Sequence, residues 1–456
     1  MIAAHELVEQ AIAAGRPGDQ VVVIVDDTAH AHLRRAGEVT TSAAHVLDRQ
    51  VHVVVTTPGG AAGVVSAGVV SAGGALDAAA VRDLVEAASI LARRSTADVD
   101  PLPPADRPPA SDWHEPAVTA PAGVLAGLAA DLSGAARGFA LHCYAEHEVR
   151  TTWLGTSSGV RRRHVQPSGV VELTARTATS SAWVGVDLPD LSDFNPHPLL
   201  DELQQRLGWG ATRVDVASGR HEVLLPPSCT ADLLKHLYRS AGGRDAADGR
   251  TAFSVPDGGT RLGERVAALP VTLRSDPAHK GLECDPFVVT RVSGADTSVA
   301  DNGLALGPTN WITDGVLTAL VHTRASARQA GDAFTPRIGN LVLEGPPGER
   351  STLPEMIAAT RNGLLLTSLW YLREVDTRAL RLTGLTRDGV YVVRDGEVIG
   401  ATDDFRFNES PLRLLDRITE IGPTSVTLPR EPDDERPRTA MPPVRVADFS
   451  AVAARA

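Results

Sequence analysis

The sequence predicts an α+β fold in two domains: an N-terminal α/β sandwich-like domain and a C-terminal, largely antiparallel β domain with peripheral helices. Three observations carry that prediction. The chain has 456 residues, more than one core of ordinary size organises, so two domains are expected. Helical spacing of apolar residues is confined to a few stretches, whereas β-rich runs broken by Gly, Pro and Asp-Gly fill most of the second half. A Pro-rich stretch, residues 97–117, carries Pro101, Pro103, Pro104, Pro108 and Pro109 among Asp, Ala and Ser, and reads as an extended surface connector.

Taken in order, the first element is a short amphipathic helix with Leu7, Val8, Ala11 and Ile12 on one side and Gly15 as its stop signal. Val21-Val-Val-Ile-Val25 has the continuous apolar character of a buried strand, and Val53-Val-Val55 and Gly63-Val-Val65 add strands separated by Pro58-Gly59-Gly60. Val81, Leu84, Val85, Ala88 and Leu91 then keep helical spacing on one face, and the helix ends at Arg93-Arg94, where positive charge suits a C-terminus. A further apolar helix (Val124, Leu125, Leu128, Leu132) leads into a strand-rich region, Phe139 to Val186, with turns expected at Gly155–Gly159 and Pro167–Gly169. Pro196 to Leu207 reads as a helix. Thr386–Gly389 and Arg394–Glu397 each contain Asp-Gly, the strongest short hairpin signal. Leu412 to Ile421 is expected as one late helix, Glu431 to Pro443 as an exposed excursion, and Val444 to Val446 as a last short strand. The boundaries that follow are 1–96 for the N-terminal domain, 97–117 for the linker, 118–222 for a central strand-rich region and 223–456 for the C-terminal domain.

Composition narrows the function. The net charge is -12, which argues against a phosphate backbone as the main partner, because such binding needs concentrated Lys and Arg. The local basic run Arg161-Arg162-Arg163-His164 reads as a solvated face. The three cysteines, Cys143, Cys229 and Cys284, are far apart and odd in number, so neither a disulfide framework nor a CxxC pair is expected. No signal-like n-region and h-region opens the chain and no apolar run approaches 18 residues, so a cytoplasmic protein is expected, without membrane or nucleic-acid partners.

Motifs for chemistry are incomplete when read from the residues alone. His5-Glu6, His114-Glu115, His147-Glu148 and His221-Glu222 each start an HExxH pattern, but none has the second His that would put two imidazoles on one helix face. His30 and His32 share one face of an expected strand without a third ligand, and His142 and His147 do no better. Gly155-Thr-Ser-Ser-Gly159 fits the letters of a nucleophile elbow with Ser157 in place, yet it joins two strands where an elbow needs a following helix. No nucleotide loop is present among the Gly pairs.

Several stretches together resemble the TldD/PmbA family. Gly63–Val70 leading to Leu91-Ala-Arg-Arg-Ser95 resembles its opening domain, and Val149–Gly159 its strand turn. Leu225-Pro-Pro-Ser-Cys-Thr-Ala-Asp-Leu-Leu-Lys-His-Leu237 falls where family members carry the helix at the centre of the site. In the second half, Ser275-Asp-Pro277 with Cys284-Asp-Pro-Phe287, Ala325 to Asn340, Pro354-Glu-Met-Ile357 with Gly363–Leu369, and Gly396–Ile399 are similar to successive family segments in the correct order.

Active subunits of that family carry HExxxH on this helix and a Cys near the C-terminus. Laid over HExxxH, Pro227-Ser-Cys-Thr-Ala-Asp232 puts Pro, Ser and Asp where His, Glu and His would stand, and no Cys follows Cys284. The resemblance therefore implies a metal-free, TldE-like subunit with no catalytic or metal-binding residue of its own. Zinc would sit in a TldD-like partner, and the pair would act on unfolded or small peptides, including precursors of peptide natural products. Motif position offers His236, Arg324 and Asn340 as peptide-groove or partner-contact residues. Two alternatives stand beside this: a self-sufficient hydrolase using Cys229 or Ser228, and a non-enzymatic binding or scaffold protein.

Overall fold

The computed structural model describes residues 2–57, 62–70, 76–95, 100–121, 123–135, 138–192, 194–431 and 437–453. The expected Pro58-Gly59-Gly60 separator lies outside these residues. In chain order the first half contains α1 (Ala4–Ala13), β1 (Gln20–Ala36), β2 (Val39–Thr56), β3 (Ala62–Val70), α2 (Ala78–Arg94), α3 (Ala126–Asp131), β4 (Ala140–Thr156), β5 (Arg161–Arg176), β6 (Ser181–Leu188) and α4 (His197–Trp209). The second half opens with β7 (Gly219–Leu225), α5 (Pro227–Arg239), α6 (Gly243–Ala247), β8 (Thr272–Ser275), β9 (Thr309–Thr313), β10 (Val316–Leu317), α7 (Arg324–Ala330), β11 (Asn340–Glu344) and α8 (Leu353–Ala359). It closes with β12 (Asn362–Leu366), β13 (Leu369–Asp376), β14 (Arg381–Thr386), β15 (Val390–Arg394), β16 (Glu397–Ala401), β17 (Phe405–Glu409), α9 (Pro411–Leu415), β18 (Ile418–Ile421), β19 (Ser425–Thr427), β20 (Arg438–Met441) and β21 (Val444–Ala453). The fold is α+β, as the pattern predicts.

The first sheet runs β3-β2-β1-β4-β5-β6 and is antiparallel throughout. Residues 118–222 thus contribute β4–β6 to the sheet that residues 1–96 begin, and continuous hydrogen bonding between β1 and β4 joins the two stretches. The apolar run in β1 is explained by burial on both sides. Val21, Val23 and Val25 pack under α1 and α2, while Val22 and Ile24 meet Phe287 and Val299 of the second half. Each such side chain contributes about 1.5–3 kcal/mol when fully buried. Gly303 marks how close the two halves come: it has φ +83°, and a Cβ there would stand 2.7 Å from a Val160 methyl.

The second half forms a six-stranded sheet, β10-β9-β8-β11-β20-β19, and a larger one, β13-β14-β17-β21-β7-β12-β15-β16, with β18 on β21. Two pairs, β11 with β20 and β7 with β12, are parallel. Antiparallel partners in the larger sheet are also far apart in sequence: Val444 of β21 pairs with Leu225 of β7.

Four expectations are corrected. Pro167–Gly169 is not a turn but the interior of β5. β6 pairs with β5 only from Gly169 onward, so Pro167 lies where β5 is an edge and needs no second ladder donor. Asp395-Gly396 is a hairpin turn between β15 and β16 with φ 48° and 85°, but Asp388-Gly389 is not. It sits at the bend of one long ribbon in which β12 pairs with β15 and β13 pairs with β14, bridged by Thr367 N–H to Gly389 O at 3.1 Å. Leu412–Ile421 is helical only as far as Leu415, because Ile418–Ile421 pairs with β21. Glu431–Pro443 is no exposed excursion at its described end: Arg438–Met441 is a buried strand alongside β11.

Candidate functional site

α5 starts with Pro227 at its first turn, where a missing N–H costs nothing, and then buries every residue from Cys229 to Tyr238. Such a helix needs partners for its charged side chains, because an unpaired buried charge is strongly unfavourable. The segment Arg430–Glu431 supplies them. Asp232 Oδ1 accepts a hydrogen bond from the Glu431 backbone N–H at 2.9 Å, and Lys235 Nζ donates to the Glu431 carbonyl while standing 3.7 Å from Asp232. Glu431 in turn accepts from the Tyr371 N–H at 2.8 Å, which ties β13 to the same point. Tyr371 has φ 56°, a left-handed conformation uncommon for a bulky aromatic residue.

Burial sets the electrostatics of this helix. It pushes the Asp232 carboxyl up to about 6, against the opposing pull of Lys235. His236, one turn further, is lowered to about 3 by burial, with the cations Lys235, Arg239 and Arg373 adding to the effect. It is therefore a neutral imidazole at physiological pH, and its Nε2 has no hydrogen-bond partner among the described residues.

Beside this point Arg430 lies between two indoles, 5.1 Å from the Trp183 centroid and 5.2 Å from Trp370. It also binds Ser368 and Asp388. Burial alone would raise Asp388, but Arg430 and Arg387, with a Ser181 hydrogen bond, hold its carboxyl below the usual range. Trp183 belongs to the first sheet and Trp370 to the ribbon, so this stack is a joint between the two halves. On the other side of α5 a cleft of about 410 Å³ opens between the halves, lined by Lys235, Tyr238 and Arg337 and by Arg150 of β4. Arg150 pairs there with Asp285 at 3.3 Å, and Arg291 pairs with Asp26.

Of the groove candidates His236, Arg324 and Asn340, only His236 belongs to this region. Asn340 is fully buried: its side chain accepts from the Asp276 N–H at 2.9 Å and donates to the carbonyls of Asp276 and Leu282, so it organises the 276–282 loop. Arg324 binds Asp301 at 2.7 Å and the carbonyls of Pro101 and Ala300, which fastens the linker to the second half. Cys229 is fully buried, donates to the Leu366 carbonyl at 3.2 Å and has its thiol raised strongly by burial, the opposite of what a nucleophile needs. Ser228 lies beside it in the first turn of α5. Ser157 Oγ accepts from the Val21 N–H at 2.9 Å and so holds a turn. Arg161, Arg162 and Arg163 are not a solvated face: they pair with Glu9, Asp106 and Asp112.

A second frame can be laid on the helix. Starting HExxxH at Pro227 straddles the first turn. Starting it at Ala231 puts Asp232 at the Glu place and His236 at the second His place, with Ala231 where the first His would stand. Arg430, Trp370 and Asp388 gave no spacing signal at all, being brought together from separate strands and loops. Among the described residues no three His, Cys, Asp or Glu side chains are grouped to hold a metal ion, and no helix is long and apolar enough to cross a membrane.

Comparison with known proteins bears on this region directly. Residues 218–453 match the model of the PmbA/TldA metallopeptidase C-terminal domain. A protein named metalloprotease from Methanothermobacter thermautotrophicus is 26% identical over 244 residues, which are 49% of this chain and 48% of that protein. The chain thus spans about half the length of the curated relative it matches. Two solved structures share the fold: TldE from Thermococcus kodakarensis, with TM-score 0.78 and 14% identity over 99% of this chain and 100% of that one, and a proposed modulator of a DNA gyrase from Thermotoga maritima, with TM-score 0.78 and 17% identity over 98% and 99%.

Proposed function

Since this chain belongs to the TldD/PmbA metallopeptidase family, we propose that it is a metal-free, TldE-like subunit that walls a peptide chamber beside a zinc-bearing, TldD-like partner. The observation that carries this reading is the state of α5. Zinc hydrolysis needs three protein ligands and an open position for water. In the HExxxH frame the first ligand place holds Ala231, and Asp232 is already engaged by the Glu431 N–H and Lys235. His236 is the one imidazole left, and Cys284, the last cysteine, is buried with its thiol pushed up to about 12. This donor set does not fit zinc.

What the chain offers is a polar cleft between its halves, with the family's central helix at its edge. Unfolded or small peptides, including peptide natural-product precursors, are the substrate class this suggests. The test is metal analysis and cleavage of unstructured peptides, with the chain alone and with a co-purified HExxxH-bearing relative. Substoichiometric zinc and no cleavage alone, with cleavage restored by the relative, is the expected result. One tightly held zinc per chain, or peptide hydrolysis by the isolated chain, overturns the reading.

A further inference from the structure

A second recess of about 230 Å³ lies between the halves, lined by His142, Thr174 and Arg176 from the first sheet and Trp370, Arg387 and Arg430 from the second half. His142 of β4 stands opposite Thr174 of β5, and Arg176 lies two residues further on the same face. That face is turned away from the core formed by Leu141, Cys143, Leu173 and Ala175. Across the recess, Arg387 and Arg430 stack on Trp370, each 5.2 Å from its centroid.

Charge is unbalanced here. Arg387 and Arg430 share one acid, Asp388, the former at 3.4 Å. The neighbouring Glu172 accepts from the Trp183 indole N–H at 3.1 Å. The side chains of Arg176 and His142 have no hydrogen-bond or ion-pair partner among the described residues. Among the described residues three guanidiniums line the recess beside the Asp388 and Glu172 carboxylates, and Arg176 also borders a neighbouring recess with Asp388, Asp403 and Asp404, in a chain whose net charge is -12. A recess lined in this way favours an anion, and a planar guanidinium favours a carboxylate, which it grips through two parallel hydrogen bonds.

We propose that this recess is an anion subsite that takes the carboxylate at the C-terminus of a bound peptide, with Arg176 as its gripping residue and the Thr174 hydroxyl beside it. The proposal rests on the peptide-chamber reading above. His142 and Arg150, which line the two recesses, lie on the same face of β4, roughly 27 Å apart at about 3.4 Å per residue. A peptide of about eight residues anchored at one recess reaches the other.

The test uses the full chain and an N-terminally labelled, unstructured decapeptide in three forms: free C-terminus, C-terminal amide, and amide with a Glu at the last position. Binding is read by fluorescence anisotropy. Amidation is expected to weaken binding tenfold or more. Arg176→Gln should bring the free-acid form to within twofold of the amide while leaving the amide's own affinity unchanged. Arg176 is exposed on a strand end, so the variant should fold, and Arg176→Lys should recover part of the preference. The Glu-bearing amide separates a terminal carboxylate from a side-chain one: binding as tight as the free acid overturns the terminal assignment. Equal binding of free acid and amide by the unaltered chain overturns the subsite and leaves the chamber reading standing. Binding of none of the forms overturns both.

Discussion

α2 and α5 carry the same apolar periodicity and meet opposite fates. α2 buries Val81, Val85, Ala88, Ser89 and Ala92 and turns its charges to water, with Asp77 capping its first turn through the N–H groups of Ala79 and Ala80. α5 buries Asp232, Lys235 and His236 together with its apolar face, and relies on Glu431, about 200 positions away, to satisfy Asp232 and Lys235. A charged residue on a helix is therefore a surface feature or a buried strut according to what the rest of the chain brings to it.

The sharpest way to break this contrast is to remove the buried partner. Asp232→Ala leaves the Glu431 N–H without its acceptor and takes the nearby carboxylate away from the buried Lys235 ammonium, and unfolding in urea should reveal a loss of about 3–5 kcal/mol. A loss below about 1 kcal/mol would mean that α5 is no more demanding than α2.

A second test uses pH. His236 has a folded pKa of about 3, below its ordinary value of 6.5, so its contribution is present above pH 6.5 and lost as pH falls towards 3. Asp232 is raised from 3.8 to about 6, so the native state takes its proton first and acidification from pH 6 to 4 adds stability. The two effects oppose each other in the intact chain. Relative to it, His236→Gln should gain stability on going from pH 6.5 to 4.5 and Asp232→Asn should lose it, each by at most about 1.4 kcal/mol per pH unit. Thermal melts of the three proteins at pH 7.5, 6 and 4.5 check this, and parallel curves refute it.

The smallest effect belongs to α2. Glu86 pairs with Arg16 at the surface, both about half exposed, and Glu86→Ala should shift stability by no more than about 0.5 kcal/mol in the same urea assay.

Much of the first sheet was legible because its neighbours are mostly neighbours in sequence. The run Val21–Val25, the helix ending at Arg93-Arg94 and the Gly155–Gly159 turn all follow from local pattern and local turn chemistry. In the second half the pattern named strands but not their partners. Two Asp-Gly pairs looked alike, yet one closes the β15–β16 hairpin and the other bends a longer ribbon. Ile418–Ile421 became a strand because Val444–Val446 offered it a ladder. At the site, His236 was found by its place in a recognisable helix, whereas Asn340 and Arg324 had equally suggestive positions and turned out to brace loops.

By itself the sequence determined the fold class, the family resemblance and the departure from HExxxH, since these rest on residue identity and short-range order. Only the tertiary structure decided that Asp232 is held by Glu431, that Arg430 is clasped between Trp183 and Trp370, and that Arg176 faces a recess shared with Arg387 and Arg430. Each of those facts depends on backbones brought together across hundreds of residues, where burial fixes which charges must find a partner and which remain available to a ligand.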